Sequence, residues 1–376
     1  MNYTNVPKTV SFNGARLAEI KASIGNYPEE ERIIRERAEK LLITEPYTVT
    51  KKQLVPPSGN VHDYMTMGTY WWPDPSKPDG LPYIRRDGEM NPVCKDRNSY
   101  GNMSNAAYHL AHAAYVFERE DYAKKALEIL TVWHLDEETR MTPHAEYAQA
   151  IPGICEGRGI GIIDFARSFL VFDACEILYA LGVMSDEVLR GIKSWYVDFI
   201  NWMITSEKGI YEDNYFNNHG AWYDVQVLSA AIFTGRYELA RRVAMNTYRR
   251  RHKTHIMADG AQPHELERTN AMSYSIMNLE ALVRLAELSA RYGCNEGVGT
   301  DAEAGVCLIE KGAQFLYPYA VDQKDFPYSQ IKPSDMGARM CLILRMLSDM
   351  LGKSEYLEMA AAIEKPKYLC NVMPTF

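Results

Sequence analysis

The chain has 376 residues, 47% of them hydrophobic and 24% charged, the balance of a soluble globular protein with enough length for one large core or two ordinary ones. Its net charge of −8 argues against a nucleic-acid binder, although an acidic protein still takes a polyanion where a cleft gathers Arg, Lys and His. No apolar run reaches about 18 residues without a charge, so no membrane span is expected.

In chain order, residues 1–13 lack a basic segment followed by an apolar core, and no signal peptide is read there. Residues 11–24 read as a short amphipathic helix. Pro28 opens a second helix, to about residue 42, with Glu29, Glu30 and Glu31 complementing the helix dipole. Residues 48–101 form a long irregular stretch rich in Pro, Gly, Asp and aromatics, a length that in a compact domain usually signals function. Within it Tyr64, Tyr70, Trp71 and Trp72 are candidates to line a groove, since Tyr and Trp offer a flat apolar face with a polar edge. The alternative is that Trp71 and Trp72 only anchor the loop.

From residue 104 onward the periodicity predicts helices over 104–117, 121–133, 161–181, 185–205, 218–233, 237–251, 269–291, 301–317, 333–351 and 354–363, the fourth behind a Ser-Asp-Glu cap at Ser185. A weak repeat runs through them. Around Phe117, Phe233 and Leu351 an apolar helix ends, a short polar turn follows, and a Tyr (Tyr122, Tyr237, Tyr356) opens a more polar helix. Repeated helix pairs build solenoids or closed barrels. The Gly-rich polar loops favour an all-α (α/α) barrel, one domain over residues 1–376, with 48–101 lying over its mouth.

Seven scattered cysteines (Cys94, Cys155, Cys175, Cys294, Cys307, Cys341, Cys370) without a Cys-x-x-Cys pair suggest mostly buried thiols, with neither a disulfide framework nor a zinc ribbon. His109 and His112 stand three apart on an apolar helix but lack an evident third ligand, so no metal is assigned, and His112 is placed as a cleft residue. The run from Arg249 to Lys253 reads as a solvated helix end. Residues 157–161 carry glycines but follow no strand, so they are no dinucleotide fingerprint.

Two stretches carry the chemistry. In residues 211–224, Asn217, Asn218 and His219 sit where a polar loop becomes a helix. Asn218 is the candidate N-cap. His219 then lies at the positive helix end, a field that favours neutral imidazole able to accept a proton. Trp222 and Tyr223 follow as a candidate sugar wall, with buried core aromatics as the bland alternative. In residues 259–274, Thr269 is the candidate cap of the next helix, leaving Arg268 at its mouth and Tyr274 in its early turns. Arg forks onto carboxylates, and a cation beside a phenol favours the phenolate. The alternative is that Glu265 or Glu267 neutralises Arg268 and Tyr274 is core.

Asn-Asn-His with Trp and Tyr downstream, then Glu-Leu-Glu-Arg with Tyr six residues on, behind Asp-Tyr and Gly-Thr-Tyr-Trp-Trp-Pro-Asp-Pro, resembles the alginate-lyase superfamily of polysaccharide lyases. The likeness spans residue 63 to about residue 291 and is closest to lyases of polymannuronate and glucuronan with an incomplete (α/α) toroid. It implies β-elimination on a uronic-acid polymer. A base takes the C5 proton, the carboxylate accepts charge, and an acid protonates O4. The resemblance implies that Asn218 and Arg268 stabilise the carboxylate and that Tyr274 protonates O4. Tyr274 would serve as base too on mannuronate, and His219 would be the base on guluronate. Arg97, Arg158 and Glu265 are further substrate-binding candidates. No cofactor is expected, the partner is an anionic polysaccharide, and a periplasmic or secreted location is expected, with a cytoplasmic one left open. The competing readings are an α/α-barrel glycoside hydrolase, with carboxylates drawn from Asp164, Asp213, Asp224 and Glu265, a glucuronan-specific lyase, and a non-catalytic helical-repeat binder.

Overall fold

Each of the three repeats folds as a helix, a tight turn and a second helix. The computed structural model describes residues 1–52, 54–93, 96–294, 300–322 and 326–375. Helix α3 (Asp96–Phe117) turns into α4 (Glu120–His134), α8 (Asn218–Phe233) into α9 (Tyr237–Thr247), and α14 (Gly337–Leu351) into α15 (Glu355–Ile363). All three turns hold a left-handed residue, Glu118 at φ 55°, Gly235 at φ 75° and Gly352 at φ 67°. That conformation reverses the chain within a few residues, and glycine adopts it without strain. The repeated Tyr is buried in two pairs, where Tyr122 donates to Glu39 (2.6 Å) and Tyr356 to Glu310 (2.7 Å), and exposed in the third at Tyr237.

The remaining elements are α1 (Ala15–Ser23), α2 (Pro28–Leu42), α5 (Phe169–Ala180), α6 (Asp186–Thr205), α7 (Glu207–Asp213), α10 (Lys253–His255), α11 (Pro263–Leu266), α12 (Ala271–Arg291) and α13 (Thr300–Val321), with four short strands. Helix accounts for 60% of the structure and strand for 4%. The described residues pack as two units, one of Met1–Thr9 and Arg35–Asn214, the other of Val10–Ile34 and Tyr215–Phe376.

In the first unit α3 packs on α4 and α5, and α6 leans on α4. The buried residues of α4 (Tyr122, Ala123, Ala126, Ile129, Leu130, Trp133) recur at helical spacing on one face. The irregular stretch contributes β1 (Met65–Met67), parallel to β4 (Tyr147–Ala150), and an antiparallel pair, β2 (Trp71–Trp72) with β3 (Ile84–Arg85). Helix α3 starts eight residues before the predicted position because Asp96 is an anchor. Its buried carboxylate takes Lys52 Nζ at 2.6 Å and the Met65 N–H at 2.9 Å. The predicted helix over 161–181 opens as a 3₁₀ segment, Gly159–Phe165, since Gly161 presses against Ala148 of β4. Ser185 caps α6 as expected, accepting from the Val188 N–H at 3.3 Å.

In the second unit α12 packs against α8, α13 and α14. The predicted helix over 237–251 breaks after Thr247 into a π turn, Tyr248–His252. This corrects the reading of the basic run as a solvated end. Arg249 is exposed, but the wider turn rotates Arg251 and His252 inward, to 3% and 4% exposure. Of the cysteines, Cys175, Cys294, Cys341 and Cys370 are buried, Cys155 is half-buried and Cys307 exposed, while Cys94 lies outside the described residues. No helix among the described residues is long and apolar enough to cross a membrane.

Candidate active site

The junction into α8 is built by its own polar residues. Asn217, not Asn218, is the N-cap. Its backbone is extended and its Oδ1 accepts the His219 N–H at 3.1 Å. Asn218 is thereby turned inward as the first helical residue. Its backbone N–H donates to Glu265 Oε1 at 2.6 Å, and its Nδ2 lies 3.0 and 2.8 Å from the two carboxylate oxygens. Glu265 belongs to α11, a single turn opened by Pro263 within a stretch that the sequence reading leaves as loop.

Behind the junction, Arg251 forks onto Asp224 with Nε–Oδ2 at 2.7 Å and Nη2–Oδ1 at 3.1 Å, and its Nη1 donates to the Tyr215 carbonyl at 3.2 Å. Gly220 lets this happen. A Cβ there would meet the Tyr215 oxygen at 2.2 Å and Arg251 Nη1 at 2.5 Å. A buried, bidentate pair therefore pins the backbone that precedes Asn218.

Glu265 is 1% exposed. Burial pushes its carboxyl up from the usual range, against the pull of the Asn218 donors and then of Arg268 and His219. This corrects its placement as a substrate-binding residue. A carboxylate clamped to Asn218 and closed off from solvent has no face for a sugar. Asn218 is itself fully buried, and its Oδ1 has no hydrogen-bond partner among the described residues.

Arg268 follows α11, and its guanidinium lies 3.9 Å from the centroid of the Tyr274 ring, in cation–π contact. Tyr274 sits on the first turn of α12, and His219, Arg268 and Tyr274 are all half-exposed. Neither Glu265 nor Glu267 forms an ion pair with Arg268 among the described contacts. Thr269 is not the cap of α12. Asn270 holds that position without a side-chain bond, because Thr269 O and Asn270 Oδ1 accept from the Ile331 and Lys332 N–H groups instead. Within the second unit, Glu265 thus contacts Asn218, Arg268 contacts Tyr274, and the charges of Arg268 and His219 act on Glu265.

Trp222 does not wall this site. It is 2% exposed and its Nε1 donates to the Met277 carbonyl at 3.1 Å, so the helix spacing that suggests a wall describes core packing on α12. The rings that do adjoin His219 are Tyr215, at 5.3 Å between centroids, and through it Phe216 and His264. Tyr215 and Phe216 belong to the same aromatic-rich stretch, but their exposure depends on where the chain leaves the core.

The other candidates belong to the first unit. Arg97 is exposed and pairs with the buried carboxylate of Asp164 (Nε–Oδ1 3.2 Å), whose Oδ2 also accepts from Tyr64 (3.1 Å) and Thr66 (2.9 Å). Arg158 donates to the Gln149 carbonyl at 2.9 Å and to its Oε1 at 3.0 Å. Tyr70, Trp71 and Trp72 are half-buried, and Trp72 Nε1 donates to the Glu89 carbonyl at 2.9 Å. Two placements are corrected. Tyr64 is buried against Phe165 at 4.6 Å, and His112 is buried in α3, so neither faces a groove. Among the described residues no group of three or more His, Cys, Asp or Glu is gathered to hold a metal.

A family model described as "Alginate lyase" matches residues 48–326. Among solved structures, an alginate lyase from Bacteroides ovatus is 37% identical over 96% of each chain, with a TM-score of 0.88. Alginate lyase A1-III from Sphingomonas species A1 is 14% identical, covering 87% of this chain and 89% of that one with a TM-score of 0.50, a likeness of fold alone. No curated protein matches. The helix pairs accord with the expected all-α (α/α) toroid class.

Proposed function

The chain belongs to the alginate lyase family and is a polysaccharide lyase, and from that premise we propose that it cleaves a uronic-acid polymer, mannuronate-containing alginate first, by β-elimination. The observation that carries this reading is the Arg268–Tyr274 contact, with Arg268 and His219 acting on the carboxylate of the Glu265–Asn218 clamp. Elimination moves the C5 proton to a base and its electrons into a C4–C5 double bond. The C4–O4 bond breaks, and O4 takes a proton. In the proposed site, charge that builds on the sugar carboxylate meets the Arg268 cation, so stabilisation is larger in the transition state than in the ground state. Asn218, buried with its Nδ2 on both Glu265 oxygens, is assigned the part of fixing that carboxylate behind Arg268, in place of the direct sugar contact that the family resemblance implies. Tyr274, with Arg268 over its ring, is assigned to lose a proton as base and to return one to O4. On guluronate, where the two protons are handled on opposite faces, His219 is the base.

The hydrolase reading loses support, because Asp164, Asp224 and Glu265 are each committed to Arg97, Arg251 and Asn218 respectively. Arg97, Arg158 and the rings of Tyr70, Trp71 and Trp72 are proposed to bind sugars away from the cleaved bond. A periplasmic or secreted location is proposed, in keeping with a polymeric substrate. The test is to incubate the protein with polymannuronate, polyguluronate and glucuronan and follow ultraviolet absorbance from the new double bond. Rising absorbance, fastest on polymannuronate, is expected; new reducing ends without absorbance would mean hydrolysis.

A further inference from the structure

Phe216 is 58% exposed, two residues before Asn218. A lone exposed apolar side chain is ordinary. Phe216 is not alone. Its ring stacks on Tyr215 at 5.1 Å between centroids and 14° between planes, and the His264 ring stands nearly perpendicular to it at 4.9 Å and 69°. Tyr215 in turn lies 5.3 Å from the His219 ring. A continuous ladder of rings therefore runs outward from the candidate base.

Both ends of the ladder are bound to the site. Phe216 is carried by the loop whose Tyr215 carbonyl Arg251 holds, and His264 precedes Glu265, the residue that clamps Asn218. A ring held on two sides costs little ordering when a ligand arrives, which is what makes an aromatic an effective anchor.

We propose that Tyr215, Phe216 and His264 form a stacking platform for a pyranosiduronate ring of the polymer, adjacent to the ring undergoing elimination. The C–H face of a pyranose carries partial positive charge and matches the negative face of Phe216 turned away from Tyr215, while the sugar's carboxylate projects from its edge and stays solvated. The platform recognises the ring, not its charge, so it supplies binding energy remote from the reacting bond. This rests on the reading of the protein as a uronate-polymer lyase.

The test is steady-state kinetics on whichever of polymannuronate, polyguluronate and glucuronan the unsubstituted protein cleaves fastest, with Phe216→Ala, Phe216→Tyr and His264→Ala. Expected are a rise in KM of about tenfold for Phe216→Ala with kcat nearly kept, recovery in Phe216→Tyr, and a smaller rise for His264→Ala, in line with the loss of one buried aromatic anchor. Unchanged KM in Phe216→Ala overturns the platform, and so does a fall in kcat alone, which would mark Phe216 as a support of the junction. If the unsubstituted protein cleaves none of the three polymers, the functional reading itself has failed, a result separate from the first two.

Discussion

Glu265 illustrates how one buried carboxylate sets a site without touching a ligand. Its oxygens accept both the backbone and the side-chain N–H groups of Asn218, so the amide has one orientation. Glu265→Gln keeps the shape and sets an amide N–H against donors. The lost hydrogen bonds and an unsatisfied donor should lower kcat about 10–100-fold with a smaller change in KM, measured by double-bond formation and checked by unchanged circular dichroism. A variant with full turnover would leave Asn218 free of the role assigned to it. At this scale the sequence made the polar helix-mouth residues legible by type and spacing. It left open which asparagine caps and which aromatic faces out. Asn217 and Asn218 are chemically identical, and only the packing of α8 against α12, which buries Trp222, separates the options.

The turns and junctions act at the scale of elements. Gly235 and Gly352 have left-handed backbones, and no atom lies within 4 Å of where a Cβ would stand, so alanine there meets only the backbone penalty. Each substitution is expected to cost about 1–2 kcal/mol in urea unfolding. Gly220→Ala is different. Its methyl would run into the Tyr215 carbonyl and Arg251, so it should disturb the junction and lose activity together with stability. Arg251→Ala, which removes the paired cation from the buried Asp224, should cost about 3–5 kcal/mol. The three helix–turn–helix repeats were readable because turn residues and apolar periodicity agree there. The short helices α7 and α11 were not, since a helix of one or two turns has too few residues for a period, and its ends are set by tertiary bonds such as that of Glu265 to Asn218.

At the scale of the whole molecule, three buried histidines are expected to weaken the fold in acid. Burial lowers His134 and His252 to about 4 and His255 to about 3, so the folded chain refuses protons that the unfolded chain accepts near pH 6.5. Stability should therefore fall as pH drops from about 6.5 toward 4, by roughly 3 kcal/mol each for His134 and His252, and toward 3 by somewhat more for His255. Asp96, Asp164 and Glu265 are raised by burial and act in the opposite sense, favouring the folded state as they take up protons. Urea titrations from pH 7 to pH 4 should show the net loss, and His252→Gln should flatten the profile. Composition set the broad class of the protein, but nothing in residues 213–218 marks a boundary between two units. They carry no Pro, Gly or Ser linker.

The central claim is that Tyr274 moves the proton that lets O4 leave. Tyr274→Phe keeps the ring beneath Arg268 and removes only the hydroxyl. The deciding measurement is the initial rate of double-bond formation by Tyr274→Phe on the preferred polymer, with polymer binding and melting checked in parallel. Expected is a loss of at least about 10²–10⁴-fold in turnover, with binding and folding kept; a folded variant that forms the double bond at a near-normal rate would contradict the mechanism.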